Sequence, residues 1–147
     1  MIRELIRALP LSLLLLAAVQ AFAGQRLVLI AAADSEIEQL DSPEVRKLFL
    51  GMTVAHNGAR LKPYLNESDA QIRDLFLQNV VSMTDTLFDR RVLRLAMAGE
   101  ANVPARYTAT PELLDAVAHN RLAVSYAWAR DVEHDKRIKI LRTLWRD

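Results

Sequence analysis

The apolar residues of this chain fall into short continuous runs that alternate with stretches in which they recur every three or four positions. The clearest run is 26–33 (RLVLIAAA), whose continuity and β-branched members predict a strand covered on both faces. By contrast, Ile72, Leu75, Phe76 and Val80 have the spacing of one helix face. The same reasoning predicts strands over 60–65, 122–128 and 137–144, and helices over 42–51, 68–81, 85–98 and 110–119.

Polar side chains mark where the predicted helices begin. Ser42 precedes a proline and is predicted to cap the first helix. Ser68 is predicted to cap the second helix, and either Ser82 or Thr84 the third. The segments between these elements are predicted to lack regular structure, with a loop over 99–109 and a charged turn over 131–136.

The order of these elements, β-α-β-α-α-α-β-β, predicts one α/β domain. Helices that interleave with short apolar strands pack on the faces of a sheet. We therefore expect a small mixed sheet flanked by helices, formed by residues 24–147.

The N-terminus has the pattern of a secretory signal peptide. Arg3 and Arg7 precede an apolar run over 8–18, and Ala21-Phe22-Ala23 forms a cleavage signal before Gly24. The alternative is a retained membrane anchor, but the apolar run is shorter than the roughly 20 residues that a spanning helix needs. We therefore expect residues 1–23 to be removed on export to the periplasm. The chain has no cysteine, so it forms no disulfides.

Charge and motifs exclude several classes of function. Removing the two arginines and one glutamate of the signal peptide from a net charge of +1 leaves no net charge, so no basic surface for nucleic acid is expected. His56, His119 and His134 have no ligand partner at metal-site spacing. No nucleophile motif and no glycine-rich phosphate loop is present. We therefore expect neither an enzyme nor a metal site nor a cofactor.

The segment with the most distinctive chemistry is 66–73, where a predicted strand runs into a predicted helix. A helix N-terminus has free N–H groups and the positive end of the helix dipole, so it suits an anion. Ser68 and Arg73 would add a hydroxyl and a positive charge. The alternative is that Ser68 only caps the helix, which the negative charges of Glu67 and Asp69 favour.

Five pieces of the chain, in order, resemble the phosphate-type substrate-binding proteins of ABC transporters. The pieces are 40–51 (LDSPEVRKLFLG), the Asn57-Gly58 turn, 66–70 (NESDA) with Phe76, 97–104 (MAGEANVP), and 110–117 (TPELLDAV) followed by 122–126 (LAVSY). The resemblance implies a type II periplasmic-binding-protein-like α/β fold. It also implies a short form with a single lobe, because two-lobed members are roughly twice as long.

The resemblance also implies a site for phosphate or a similar oxyanion, serving ABC-type uptake or sensing. The residues that would form it are Ser35, Asn66, Ser68, Asp69 and Arg73. Of the family's Ser-Gly-Thr turn only the serine is kept, since aspartate and alanine follow Ser68 here.

The alternative function is a ligand-free scaffold that docks an inner-membrane transporter or sensor. The departures from the family's ligand turn and the missing second lobe favour it. The arginines of the third helix, or Tyr107, Trp128 and Trp145, could form the contact.

Overall fold

The computed structural model describes residues 24–147, so the predicted signal peptide lies outside it. The strands within that span are β1 Arg26–Ala32, β2 Ala55–His56, β3 Ala59–Arg60, β4 Lys62–Asn66, β5 Ala105–Tyr107, β6 Ala123–Trp128 and β7 Ile138–Arg146. The helices are α1 Ser42–Phe49, α2 Ala70–Phe76, α3 Asp85–Met97, α4 Thr110–Ala118 and α5 Ala129–Val132. A π-helical turn, Leu77–Val81, extends α2.

Five of the strands form one mixed sheet in the order β5-β4-β6-β1-β7, and β2 and β3 form a separate small hairpin. β4 runs parallel to β5 and β6, whereas β1 is antiparallel to both of its neighbours. The central position of β1 explains its apolar run, because Leu27 to Ala32 are fully buried between helices. The prediction of a mixed sheet flanked by helices is confirmed.

The edge strand β7 has nine residues opposite the seven of β1, and the pairing shifts register twice. Leu144 and Leu141 are the two residues left without a partner on β1. Both pack against the larger core cluster. The bulges therefore allow both leucines to pack against the same face of the sheet.

The core has two parts, one on each face of the sheet. α1, α2 and α3 cover one face, where Phe49, Phe76, Phe88 and Tyr126 form a connected aromatic group. α4 and α5 cover the other face with a smaller aliphatic cluster. No helix within residues 24–147 is long and apolar enough to cross a membrane.

Two of the predicted helix caps are wrong by one residue. Asp41, not Ser42, caps α1, because its carboxylate accepts a hydrogen bond from the N–H of Glu44 while the Glu44 side chain bonds back to Asp41 N–H. Asp69, not Ser68, caps α2. Thr84, one of the two candidates, caps α3 as predicted.

The two segments that were predicted to be irregular contain short elements. The loop over 99–109 includes β5, which is ordered by pairing with β4. The charged turn over 131–136 begins inside α5, a single helical turn held by burial of Ala129 and Val132. Elements of three or four residues take their structure from such tertiary contacts and not from local sequence.

Gly51 follows the end of α1, where a side chain would strain the backbone and collide with Leu95. Its φ is +80°, and a Cβ would lie 2.3 Å from Leu95 Cδ1. Gly58 has the same φ but open space around it, so it is a matched control. We expect Gly58→Ala to lower the free energy of unfolding by about 1 kcal/mol through backbone strain alone. Gly51→Ala should cost about 2 kcal/mol or more, because Leu95 must also move.

Urea unfolding of both glycine variants, followed by circular dichroism, measures the difference. Equal losses would contradict close packing of α1 on α3, since they would show that a methyl group fits beside Leu95.

Candidate functional site

The candidate turn follows the end of β4, at the edge where the parallel strands β4, β5 and β6 all end. Asn66 is the buried residue at the start of this turn, with 1% of its surface exposed. Its amide nitrogen donates to the carbonyl oxygen of Tyr126 at 2.9 Å. Its Oδ1 accepts from the N–H of Ser68 at 3.0 Å and from the Ser68 hydroxyl at 2.6 Å. Asn66 therefore ties the turn to β6 and already binds the hydroxyl that was predicted to hold an anion.

Asp69 connects the start of α2 to the end of β6. One carboxylate oxygen accepts from the N–H of Ile72 at 2.8 Å, and the other accepts from the indole N–H of Trp128 at 2.9 Å. Trp128 is only 3% exposed, so the suggestion that it forms an exposed contact is wrong. The Arg130 guanidinium lies 5.5 Å from its ring centre. A carboxylate thus provides the negative charge that the helix N-terminus favours.

Arg73 points into a group of carboxylates. Its Nη1 lies 2.6 Å from Glu67 Oε1, and its Nη2 lies 3.0 Å from Asp89 Oδ1. It also donates through Nε to Asp85 at 3.0 Å. Arg106, on β5, binds the same Glu67 oxygen and the same Asp89 oxygen. The Glu67 carboxylate, whose side chain is 19% exposed, therefore lies between two guanidinium groups.

The charges in this network alter each other's protonation. Burial alone would raise the pKa of Asp89, but hydrogen bonds from Arg106 and Arg73 hold it below its ordinary value of 3.8. Burial would likewise lower the pKa of Arg73, yet its bonds to Asp85 and Asp89 and the charge of Glu67 raise it instead. Both shifts favour the charged forms of Asp89 and Arg73 at neutral pH.

Ser35 lies at the opposite end of the sheet from the other four predicted residues. β1 runs antiparallel to β6, so the turn after β1 lies near the start of β6 and not near its end. There the Ser35 hydroxyl donates to the carbonyl of Arg121 at 2.8 Å and accepts from the N–H of Ile37. About 13 Å of strand separates the two ends of β4 at 3.3 Å per residue. Asn66, Ser68, Asp69 and Arg73 thus come together, but Ser35 does not join them.

Sequence reasoning missed three members of the network: Asp85, Asp89 and Arg106. The two aspartates are four residues apart on α3, so the sequence shows that they share a helix face. It does not show that this face points toward Arg73. Arg106 lies on the strand that was predicted to be loop, so no sequence signal pointed to it. Within residues 24–147, no group of three side chains has the arrangement of a metal site.

The difference between Ser68 and Asp69 gives a direct test of the local structure. Asp69→Ala should lower the free energy of unfolding by about 1–3 kcal/mol, because α2 loses its cap and the Trp128 indole loses its acceptor. Ser68→Ala removes only a hydroxyl that has one partner, so it should cost about 1 kcal/mol or less. Chemical unfolding followed by tryptophan fluorescence measures both. A larger loss for Ser68→Ala would contradict Asp69 as the cap.

Comparison with solved structures identifies the fold. An ABC-type phosphate transport receptor from Vibrio cholerae matches with a TM-score of 0.61 and 16% identity over 81% of this chain and 46% of its own. A Clostridium perfringens protein with bound phosphate, proposed to be a phosphate ABC transporter substrate-binding protein, matches with a TM-score of 0.60 and 14% identity. The match covers 81% of this chain and 45% of that protein. PstS from Borrelia burgdorferi matches with a TM-score of 0.59 and 12% identity, over 82% of this chain and 47% of that protein.

These likenesses concern the fold alone, since all three identities are low. No protein-family model matches the sequence, and neither does any curated protein at a significant level. The chain spans a little under half the length of each of these solved proteins. The prediction of a periplasmic-binding-protein-like single lobe is therefore confirmed at the level of fold.

Proposed function

We propose that the mature chain is an exported, periplasmic protein that docks an envelope partner, such as an inner-membrane transporter or sensor. We further propose that the candidate turn, residues 66–73, is closed to free phosphate; we call it the anion turn. The observation that carries the proposal is the Glu67 carboxylate between Arg73 and Arg106. A glutamate that binds both guanidinium groups takes the position that an oxyanion would need.

The charge balance at the turn supports this proposal. The carboxylates of Glu67, Asp85 and Asp89 pair with two guanidinium groups, so this network carries a net negative charge. Asp69 adds a fourth carboxylate at the start of α2. A phosphate would have to displace Glu67 and then remain near three other carboxylates, which repel it. The closed turn instead joins β4, β5, α2 and α3 into one rigid end of the lobe.

The outward surface of α3 is the best candidate for the docking contact. Leu87, Leu93 and Met97 are 52%, 60% and 80% exposed there. Arg90 and Arg94 share that helix face, are exposed, and form no ion pair with any residue in the range 24–147. Exposed apolar side chains mixed with unpaired arginines are typical of protein interfaces. By charge complementarity, the partner surface should be acidic with an apolar centre.

Isothermal titration of residues 24–147 with phosphate and with sulfate tests the closed turn. We expect no saturable heat up to about 1 mM of either anion, which corresponds to a binding free energy weaker than about 4 kcal/mol. Saturable binding that Ser68→Ala abolishes would overturn the closed turn and would establish this segment as the anion site.

Site-specific photocrosslinking in the envelope tests the docking surface. A photoreactive residue in place of Leu93 should capture an inner-membrane protein, whereas one in place of Lys136, in the turn before β7, should not. Arg90→Glu with Arg94→Glu should abolish the Leu93 crosslink, because like charges would then face each other. An unchanged crosslink in the charge-reversed protein, or equal capture from both positions, would contradict the proposed surface.

A second candidate function is phosphate or oxyanion binding for ABC-type uptake or sensing. Two guanidinium groups converge on Glu67, the residue before Ser68, and one protein with a similar fold was solved with phosphate bound. In this case Glu67 would leave the two arginines when the anion enters. The titration described above decides between the two candidates.

A further inference from the structure

A cavity lies away from the turn, where the start of α1, the π-helical turn and the edge strand β7 meet. Its volume is about 380 Å³, within the usual range of small-ligand pockets. Pro43, Val45, Val80 and Leu144 line its apolar part. We call this cavity the β7-edge pocket.

The polar lining of the β7-edge pocket contains two guanidinium groups and no carboxylate. Arg46 and Arg142 line it together with Ser42, Asn79 and Ser82, and no lining residue is acidic. Neither arginine forms an ion pair with a side chain in the described span. The pocket therefore has a positive potential with nothing in its wall to neutralise it.

Arg142 contributes a fixed guanidinium group to the wall of this pocket. Its Nη1 donates to the carbonyl of Leu40 at 3.2 Å, which fixes the guanidinium against the loop before α1. Its Nε is fully buried and has no hydrogen-bond partner among residues 24–147. An unsatisfied buried donor on a charged group is costly, so such groups usually have a partner. Because Nε is enclosed, an anion in the pocket would bind the outer nitrogens of this guanidinium group.

The backbone beside Arg142 has a second unusual feature. α2 ends in the π-helical turn Leu77–Val81, and Ser82 follows with a φ of +52°. π-helical turns and left-handed non-glycine residues occur preferentially at functional sites, because maintaining them costs stability. Here they bring Asn79, Val80 and Ser82 to the wall of the same pocket.

We propose that the β7-edge pocket binds a small organic anion, a carboxylate attached to a short apolar chain. The arginines would bind the carboxylate, since a guanidinium group matches its geometry and charge. The apolar wall would cover the chain. An inorganic phosphate would leave that wall and most of the volume unused. This proposal does not depend on the docking function or on the state of the anion turn.

NMR titration of residues 24–147 with hexanoate tests the proposal, with hexanol as the uncharged control. We expect hexanoate to shift the amide signals of Ser42, Val80 and Ser82 with a Kd of about 1 mM or tighter, and hexanol to bind at least about tenfold more weakly. Binding of both compounds with equal affinity, no shift at these residues, or equal shifts with inorganic phosphate would overturn the proposal.

Arginine variants identify the groups responsible. Arg46→Gln changes an exposed side chain and leaves the fold intact, and it should weaken hexanoate binding about tenfold. Arg142→Gln should weaken it further. Arg94→Gln, which removes an unpaired arginine from the outward face of α3, is the matched control and should have no effect. Unchanged affinity in Arg46→Gln, or an equal loss in Arg94→Gln, would rule out the arginines of the pocket as the anion ligands.

Discussion

Replacing Phe76 with alanine should lower the free energy of unfolding by about 3–5 kcal/mol. Phe76 is 2% exposed, stacks on Tyr126 with ring centres 4.6 Å apart, and makes edge contacts with Phe49 and Phe88. Alanine would leave a cavity among three rings that are held by the sheet, α1 and α3, so the surroundings cannot collapse into it. Urea unfolding monitored by circular dichroism measures the loss.

Phe76→Leu is the matched control, because it keeps most of the volume and removes the ring. It should cost about 1–2 kcal/mol, since ring contacts are lost but only a small cavity remains. A loss for Phe76→Ala no greater than that for Phe76→Leu would contradict the central position of this ring.

Replacing Asn66 with aspartate should lower the free energy of unfolding at pH 7 by about 3 kcal/mol or more. The two side chains have the same shape, but aspartate cannot donate to the Tyr126 carbonyl, which would then face a buried carboxylate. Burial raises the folded-state pKa of the new carboxyl above its unfolded value of about 3.9. The loss should therefore be smallest near pH 4 and should increase as the pH rises toward 7.

Asn79→Asp is the control for the Asn66 variant. Its amide also donates to a backbone carbonyl, that of Leu75 at 2.9 Å, but the side chain is exposed. It should lose about 1 kcal/mol or less, because water solvates the new charge. Unfolding curves of both variants at several pH values provide the comparison. A pH-independent loss for Asn66→Asp would contradict the burial of this side chain.

The sequence predicted the fold well where an element has a strong pattern of its own. The apolar run of β1 and the stripe along α2 are local signals, and both elements lie where predicted. The caps of α1 and α2 failed by one residue, since a serine and an aspartate stand next to each other at both starts and either can accept the hydrogen bond. Local sequence does not decide between two adjacent caps.

The candidate site was predicted less well, because its character depends on residues that are distant in the chain. Arg73 was assigned to an anion, but the carboxylates that bind it include Asp85 and Asp89 from the next helix. Arg106, which shares Glu67, comes from a strand that only tertiary pairing orders. The position of Ser35 was predicted wrongly, because the residues of β1 do not reveal that this strand is antiparallel to both of its neighbours.

The central position of β1 has a consequence for the order of folding. Its two neighbours, β6 and β7, lie about 100 residues later in the chain, so the middle of the sheet is built from the first and last elements of the described span. Pairings between residues so far apart in the chain form slowly, because the entropy cost of closing a long loop comes before any contact stabilises it. During synthesis β1 has neither partner until β6 emerges from the ribosome, so the sheet cannot close around it earlier. The central sheet therefore cannot form until most of the described residues have been synthesised.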